Sequence, residues 1–216
     1  MEFAAPQNID FEDIFELNVS FLRLMQNRSV AARLLRDPAE PMLAELGNLH
    51  ERQIQRLARC PFLLCCCRED DIEFWQSGLK SEQNADLFTE DPAISQGESQ
   101  LIAAALGFAW QLVRRNPYAA RIACGASTAW CDEIAAQPFI RLVSAAARMP
   151  NVLSVRFSTD GYFWRRLMLH GLHRDPATRR AARITALNTI LLRERPAIRF
   201  AAAARSTNAP TLLLRS

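Results

Sequence analysis

Apolar positions recur along this chain at helical spacing. Ile14, Leu17, Phe21 and Leu24 share one helix face, and Leu101, Ala105, Phe108 and Leu112 do the same later in the chain, the spacing of an element buried along one stripe. A short second helix is expected where Asp37, Pro38 and Glu40 supply an N-cap acceptor, a proline at the first helical position and a returning carboxylate, with Gly47 at its end. Ser127 is the corresponding cap in the later series. A third helix is expected over 49–59 and again over 138–148, stopped near Pro61 and Pro150. The stretches 62–67 and 151–157 are short, apolar and extended in character, and Asp71 and Asp160 then cap a fourth helix. Asp175 and Pro176 open a last helix with Ile184, Leu187 and Leu191 as its apolar stripe, ended by Pro196; residues 197–216 are expected to fray.

The two series match each other residue by residue. "FLRLMQNRSVAARLL" aligns with "AWQLVRRNPYAARIA" at a separation of 88, which puts Leu24 on Leu112, Ala31 on Ala119 and Arg33 on Arg121. After one inserted residue the separation is 89, and Pro61 meets Pro150, Leu64 meets Leu153, Asp71 meets Asp160, and Phe74 and Trp75 meet Phe163 and Trp164. Apolar sites coincide while surface charges do not, as expected of two copies of one packed unit. Coincidence of helical amphipathicity is the competing explanation. The predicted fold class is all-α: two tandem helical repeats forming an intramolecular pseudo-dimer, 9–80 and 99–172, joined by a polar linker over 81–98 and followed by a basic helix over 173–196.

Charge sharpens this division. Residues 1–100 hold 18 acidic against 9 basic side chains, residues 101–216 hold 5 against 17, and Lys80 is the one lysine. Nearly all positive charge is therefore guanidinium, suited to planar contacts with carboxylate or phosphate. Arg165, Arg166, Arg174, Arg179, Arg180 and Arg183 are the candidate phosphate contacts. The plainer reading is a solvated basic face, or one that pairs with the acidic half of a neighbouring chain. No apolar run reaches the length of a membrane span, and the acidic start, "MEFAAPQNIDFEDIF", is unlike a secretory signal. A cytoplasmic protein with no membrane contact is expected.

Cys60, Cys65, Cys66 and Cys67 invite a metal or redox reading. Neighbouring side chains of an extended segment point to opposite faces, so the three adjacent cysteines cannot all hold one zinc. The later series keeps the shape of the segment with Leu153, Ser154 and Val155, which points to packing of small or apolar bulk. Cys65, Phe74, Trp75, Phe163 and Trp164 are the core or interface candidates. His170 and His173 lack further ligands in a recognisable pattern. The sequence has no Gly-rich phosphate loop and no catalytic signature, so no enzyme, cofactor or metal is expected.

The order "LNVSFL", "AELGNLHERQIQRLA" and "FLLCCCREDD" resembles the flagellar transcriptional regulator FlhD family, with Leu64, Cys65, Arg68 and Asp71 matching its Leu-Val/Leu-Cys-x-Phe-Arg-Phe-x-Asp segment. The likeness covers 11–80, and 100–168 only through the internal repeat. It implies a helical unit that pairs with a second copy of itself and, with a zinc-binding FlhC-like partner, binds promoter DNA. Two departures stand out: family members carry one copy per chain, and the copies here differ in charge. The expected functions are a transcriptional regulator subunit acting through protein contacts and DNA backbone contacts, or a helical adaptor of a secretion or flagellar system that does not bind DNA.

Overall fold

The computed structural model of the chain describes residues 6–35, 45–80 and 94–193. Their elements are almost all helical: α1 (Asn8–Leu24), α2 (Arg28–Leu34), a 3-10 turn (Glu45–Asn48), α3 (Glu51–Leu57), β1 (Cys65–Cys66), α4 (Ile72–Lys80), α5 (Gln96–Arg115), α6 (Pro117–Cys124), α7 (Thr128–Ala136), α8 (Phe139–Arg148), β2 (Ser154–Val155), α9 (Gly161–Gly171) and α10 (Pro176–Arg193). The mostly helical expectation holds. The helix expected from Asp37, most of the 81–98 linker and the 197–216 tail lie outside the described residues.

Local capping explains most helix starts. Asp71 accepts from the Phe74 amide at 3.0 Å and Asp160 from the Phe163 amide at 2.9 Å. Ser127 accepts from the Trp130 amide at 3.1 Å, and Asp175 from the Thr178 amide at 2.8 Å. Two breaks were not foreseen. The first long helix of each series ends early, at Met25 and Asn116, and a separate helix restarts under an asparagine cap, Asn27 before α2 and Asn116 before α6, where Pro117 is the first helical residue. Burial also moves the one-residue step. Val30 and Leu34 are buried like Ala119 and Ala123, 89 residues on, whereas a spacing of 88 would set buried Val30 against Tyr118, which is 42% exposed.

α1 packs on α5 at the centre of the molecule, with α3 on α1 and α8 on α5. The outer helices then cross over: α3 also packs on α9, and α8 on α4. Arginines fasten these crossings by donating to helix C-terminal carbonyls, Arg56 to Leu172 O at 3.2 Å and Arg141 to Leu79 O at 3.0 Å, where the helix dipole favours a cation. Buried acids add two ties to α5, Asp10 of α1 to Arg115 and Glu98 to Arg33 of α2.

Between the crossings, β1 and β2 pair antiparallel, Cys65 opposite Val155 and Cys66 opposite Ser154. Each strand leads into a matching turn. Arg68 and Phe157, 89 residues apart, both adopt positive φ, 56° and 53°. Trp75 Nε1 donates to Cys67 O at 3.0 Å, and Trp164 Nε1 to Arg156 O at 2.7 Å. Both indoles are fully buried, with Phe74 and Phe163 edge-on to them. Cys65 and Phe163 are core residues, while Phe74 lies at the core margin beneath the Arg68 guanidinium.

The last helix sits in a different phase from the expected one. Ala186 and Ile190 are its buried residues, whereas Ile184 is 54% exposed. Ala182, Thr185 and Ala186 face Phe163, Leu167 and His170 of α9 across a groove between the two helices, while Ile184 lies on the other side of α10.

Trp130 provides an internal control for the indole bonds: it is fully buried against Trp75, but its Nε1 has no hydrogen-bond partner among the described residues. Trp75→Phe and Trp164→Phe are expected to destabilise the fold by about 1 kcal/mol more than Trp130→Phe, since only the first two leave a buried carbonyl without its donor. Urea unfolding of the three variants measures the difference.

Candidate functional site

Two surfaces carry the polar chemistry. The first is an open cleft of about 1040 Å³ beside the β1–β2 ribbon, lined by Arg68, Glu69, Asp70, Ser127, Ser154 and Arg156 among others. Arg156 is its structural centre. The side chain is 5% exposed, donates Nε to Leu63 O at 2.6 Å and Nη2 to Cys65 O at 3.1 Å, and also reaches Cys124 O. One guanidinium thus joins the segment before β1, the strand itself and the end of α6. Gly125 makes room for it: its φ is 64°, and a Cβ there would lie 2.2 Å from Arg156 Nη1, so a side chain would be strained in backbone and blocked in space.

Glu69 supplies the opposing charge without forming an ion pair. It is 3% exposed, and its Oε2 accepts from the Cys67 amide at 2.8 Å. Burial pushes its carboxyl above the usual range, against the pull of Arg156 and the backbone donors. Burial is the largest influence on Arg156 and opposes its charge, but Glu69 together with Cys66, Cys124 and Cys65 outweighs it, and the guanidinium pKa is raised. With Asp70, Asp71 and Glu73 on the same lining as Arg68, Arg121 and Arg156, the cleft has no field of one sign.

The cysteines belong to this core. Cys60, Cys65, Cys67, Cys124 and Cys131 are buried, and only Cys66 is partly open, with Sγ 3.0 Å from Ser154 Oγ. Cys124 and Cys131 come from distant sequence to join the cluster. Burial raises the Cys60 thiol to about 12 and pushes Cys65 and Cys67 well above the usual thiol range, so these groups are protonated hydrophobes at neutral pH. No group of three or more His, Cys, Asp or Glu side chains is placed to hold a metal among the described residues. His173 Nδ1 accepts from the Asp175 amide at 3.1 Å, and His170 lines the α9–α10 groove.

The second surface is the basic end, where the six candidate arginines divide into two groups. Arg179 donates to His173 O at 2.8 Å and Arg174 O at 2.6 Å, and Arg183 to Arg56 O at 3.1 Å. Both anchor the α9–α10 turn and the end of α3. Burial, followed by the charges of Arg179 and Arg59, lowers the Arg183 pKa, with Cys60 acting the other way. Arg165, Arg166, Arg174 and Arg180 are exposed. Arg166 lies 5.5 Å from the centre of the Tyr162 ring, and the other three guanidinium groups have no hydrogen bond or ion pair among the described residues. The fold also brings Arg56 and Arg59 of the acidic half next to this face, through the α3–α9 contact.

Comparison of the chain with protein-family models, curated proteins and solved structures finds no match. Among the described residues no helix is long and apolar enough to cross a membrane.

The sequence reading missed Arg156 and Gly125. An arginine inside an apolar run, 89 residues from buried Cys67, was the available signal. Thiol labelling tests the picture: at pH 8 the folded protein is expected to react slowly at Cys66 and not at the other five cysteines, with all six reacting in denaturant. Mass spectrometry of the labelled peptides gives the count, and rapid native labelling of Cys65 or Cys67 would contradict the burial described.

Proposed function

We propose that the chain is an intramolecular pseudo-dimer of two FlhD-like helical units and serves as a transcriptional regulator subunit, binding a protein partner and contacting DNA backbone through its basic end. The observation that carries the reading is the set of correspondences 89 residues apart: the paired turns at Arg68 and Phe157, the two indole–carbonyl bonds and the two aspartate caps. The ribbon adds a two-fold relation, since Cys65 faces the counterpart of Cys66, and Cys66 the counterpart of Cys65. Exchange of outer helices, α3 onto α9 and α8 onto α4, is the packing expected where two like units interlock around such an axis.

The DNA role rests on the resemblance and on the exposed guanidinium groups of Arg165, Arg166, Arg174 and Arg180, which suit phosphate. The protein partner is of the FlhC-like kind that the resemblance implies. A second reading, a helical adaptor without DNA contact, gains support because Arg179 and Arg183 are engaged within the fold.

Fluorescence anisotropy with an arbitrary duplex over a salt series tests the choice. Binding is expected at low salt with a steep loss as salt rises, and Arg165→Ala with Arg174→Ala and Arg180→Ala should make the log–log slope shallower by about 0.9 for each phosphate contact removed. Arg183→Ala should instead lower the melting temperature. Absence of binding at low salt, or binding indifferent to salt, rejects the DNA role and leaves the adaptor reading.

A further inference from the structure

The outward face of α10 has no partner among the described residues. Ala177, Ala181, Ile184 and Asn188 are exposed and Leu191 is partly so, and they follow one another at steps of four, three, four and three residues. Leu192, 66% exposed, widens the stripe at its end. The opposite face is occupied by Ala186 and Ile190 against the body, so the stripe is not a remnant of core packing. Steps of four and three are the spacing of a two-stranded helical seam.

We infer that this face pairs with the same face of a second copy of the chain, as two parallel α10 helices about a two-fold axis. Asn188 identifies the occupant. It is the polar position within an otherwise apolar seam and has no hydrogen bond among the described residues. A side-chain amide both donates and accepts, so it satisfies itself against its own copy across a two-fold axis, and a single such asparagine selects two strands in register. The flanks agree. In the parallel arrangement Arg180 lies opposite Thr185 of the second copy and Leu187 opposite Leu192, so no like charges meet across the seam. A charged partner would have no complement along this stripe. The pairing surface is separate from the ribbon; of the guanidinium groups assigned to phosphate only Arg180 flanks it, and the pairing does not depend on the regulator reading.

Sedimentation velocity on the full chain tests the pairing. At about 100 μM, well within the range of micromolar helix pairing, the expected species has twice the 24.4 kDa chain mass, and raising salt leaves it intact. Ile184→Glu with Leu192→Glu should weaken association by at least about 100-fold while the circular dichroism stays unchanged. Ile140→Glu, at a residue 60% exposed on α8, should leave the mass as it is. Asn188→Leu should tighten association and admit species above the dimer, and this variant decides the matter if the double glutamate variant fails to fold. A monomeric wild type, a dimer untouched by Ile184→Glu with Leu192→Glu, equal release by Ile140→Glu, or an Asn188→Leu protein that behaves as wild type would each overturn the proposal.

Discussion

The guanidinium of Arg156 holds together the part of the molecule on which everything else is mounted. Its bonds to the carbonyls of Leu63, Cys65 and Cys124 fix β1 against β2 and both against the end of α6. A strand pair of two residues each has too few ladder bonds to be stable alone, so the crossing needs a further tie. A buried cation is costly unless its donors are matched and a counter-charge is near. Here the donors are met by backbone carbonyls, and Glu69 provides field without contact. The fold therefore depends on Gly125 having no side chain, since the guanidinium takes the space one would fill.

On the proposed reading, the same position shows what fusing two units would permit. Arg156 corresponds to Cys67 at a spacing of 89, and both carbonyls accept from a buried indole. In a dimer of identical chains a buried arginine at this place would appear twice, a few residues from its copy across the ribbon, and two buried cations would repel each other. Within one polypeptide the position can hold a cation on one side and a neutral thiol on the other. On the proposed reading, the duplicated chain is thus more than a dimer joined by a linker. The cysteine-rich segment becomes the apolar counterpart of an arginine that only one half carries.

Much of this was legible from sequence. The stripes of the two long helices, the caps at Asp71, Ser127, Asp160 and Asp175, and the extended character of 62–67 and 151–157 follow from local rules that act within a few residues. The misses came from interactions that local rules do not contain. Asn116 before Pro117 marks a helix restart that the alignment with Ala31–Arg33 concealed, and the buried face of α10 is the one that carries Ala186 and Ile190 rather than the one that carries Ile184. The apolar run around Arg156 marked it as unusual, but its role could not be read locally because its partners, Leu63 and Cys124, are distant in sequence and contribute only carbonyls.

Distribution of the arginines bears most directly on function. The formal excess of positive charge in 101–216 suggests a broad cationic surface, yet Arg115 is paired with Asp10, Arg141 and Arg148 donate to carbonyls near the end of α4, Arg156 is inside, and Arg179 and Arg183 hold the turn before and the contact beside α10. Arginine is suited to such duty because its planar fork can meet several carbonyls at once and is weakly hydrated. Among the described residues of this half, Arg114, Arg165, Arg166, Arg174 and Arg180 remain outward, and Arg59 of the acidic half is exposed as well. Among the described residues net charge thus overstates the outward cationic surface, and on the proposed reading a polyanion would meet it where helices α3, α9 and α10 come together. That junction requires the crossed packing of α3 on α9, so the cationic face exists only when the two halves are interlocked.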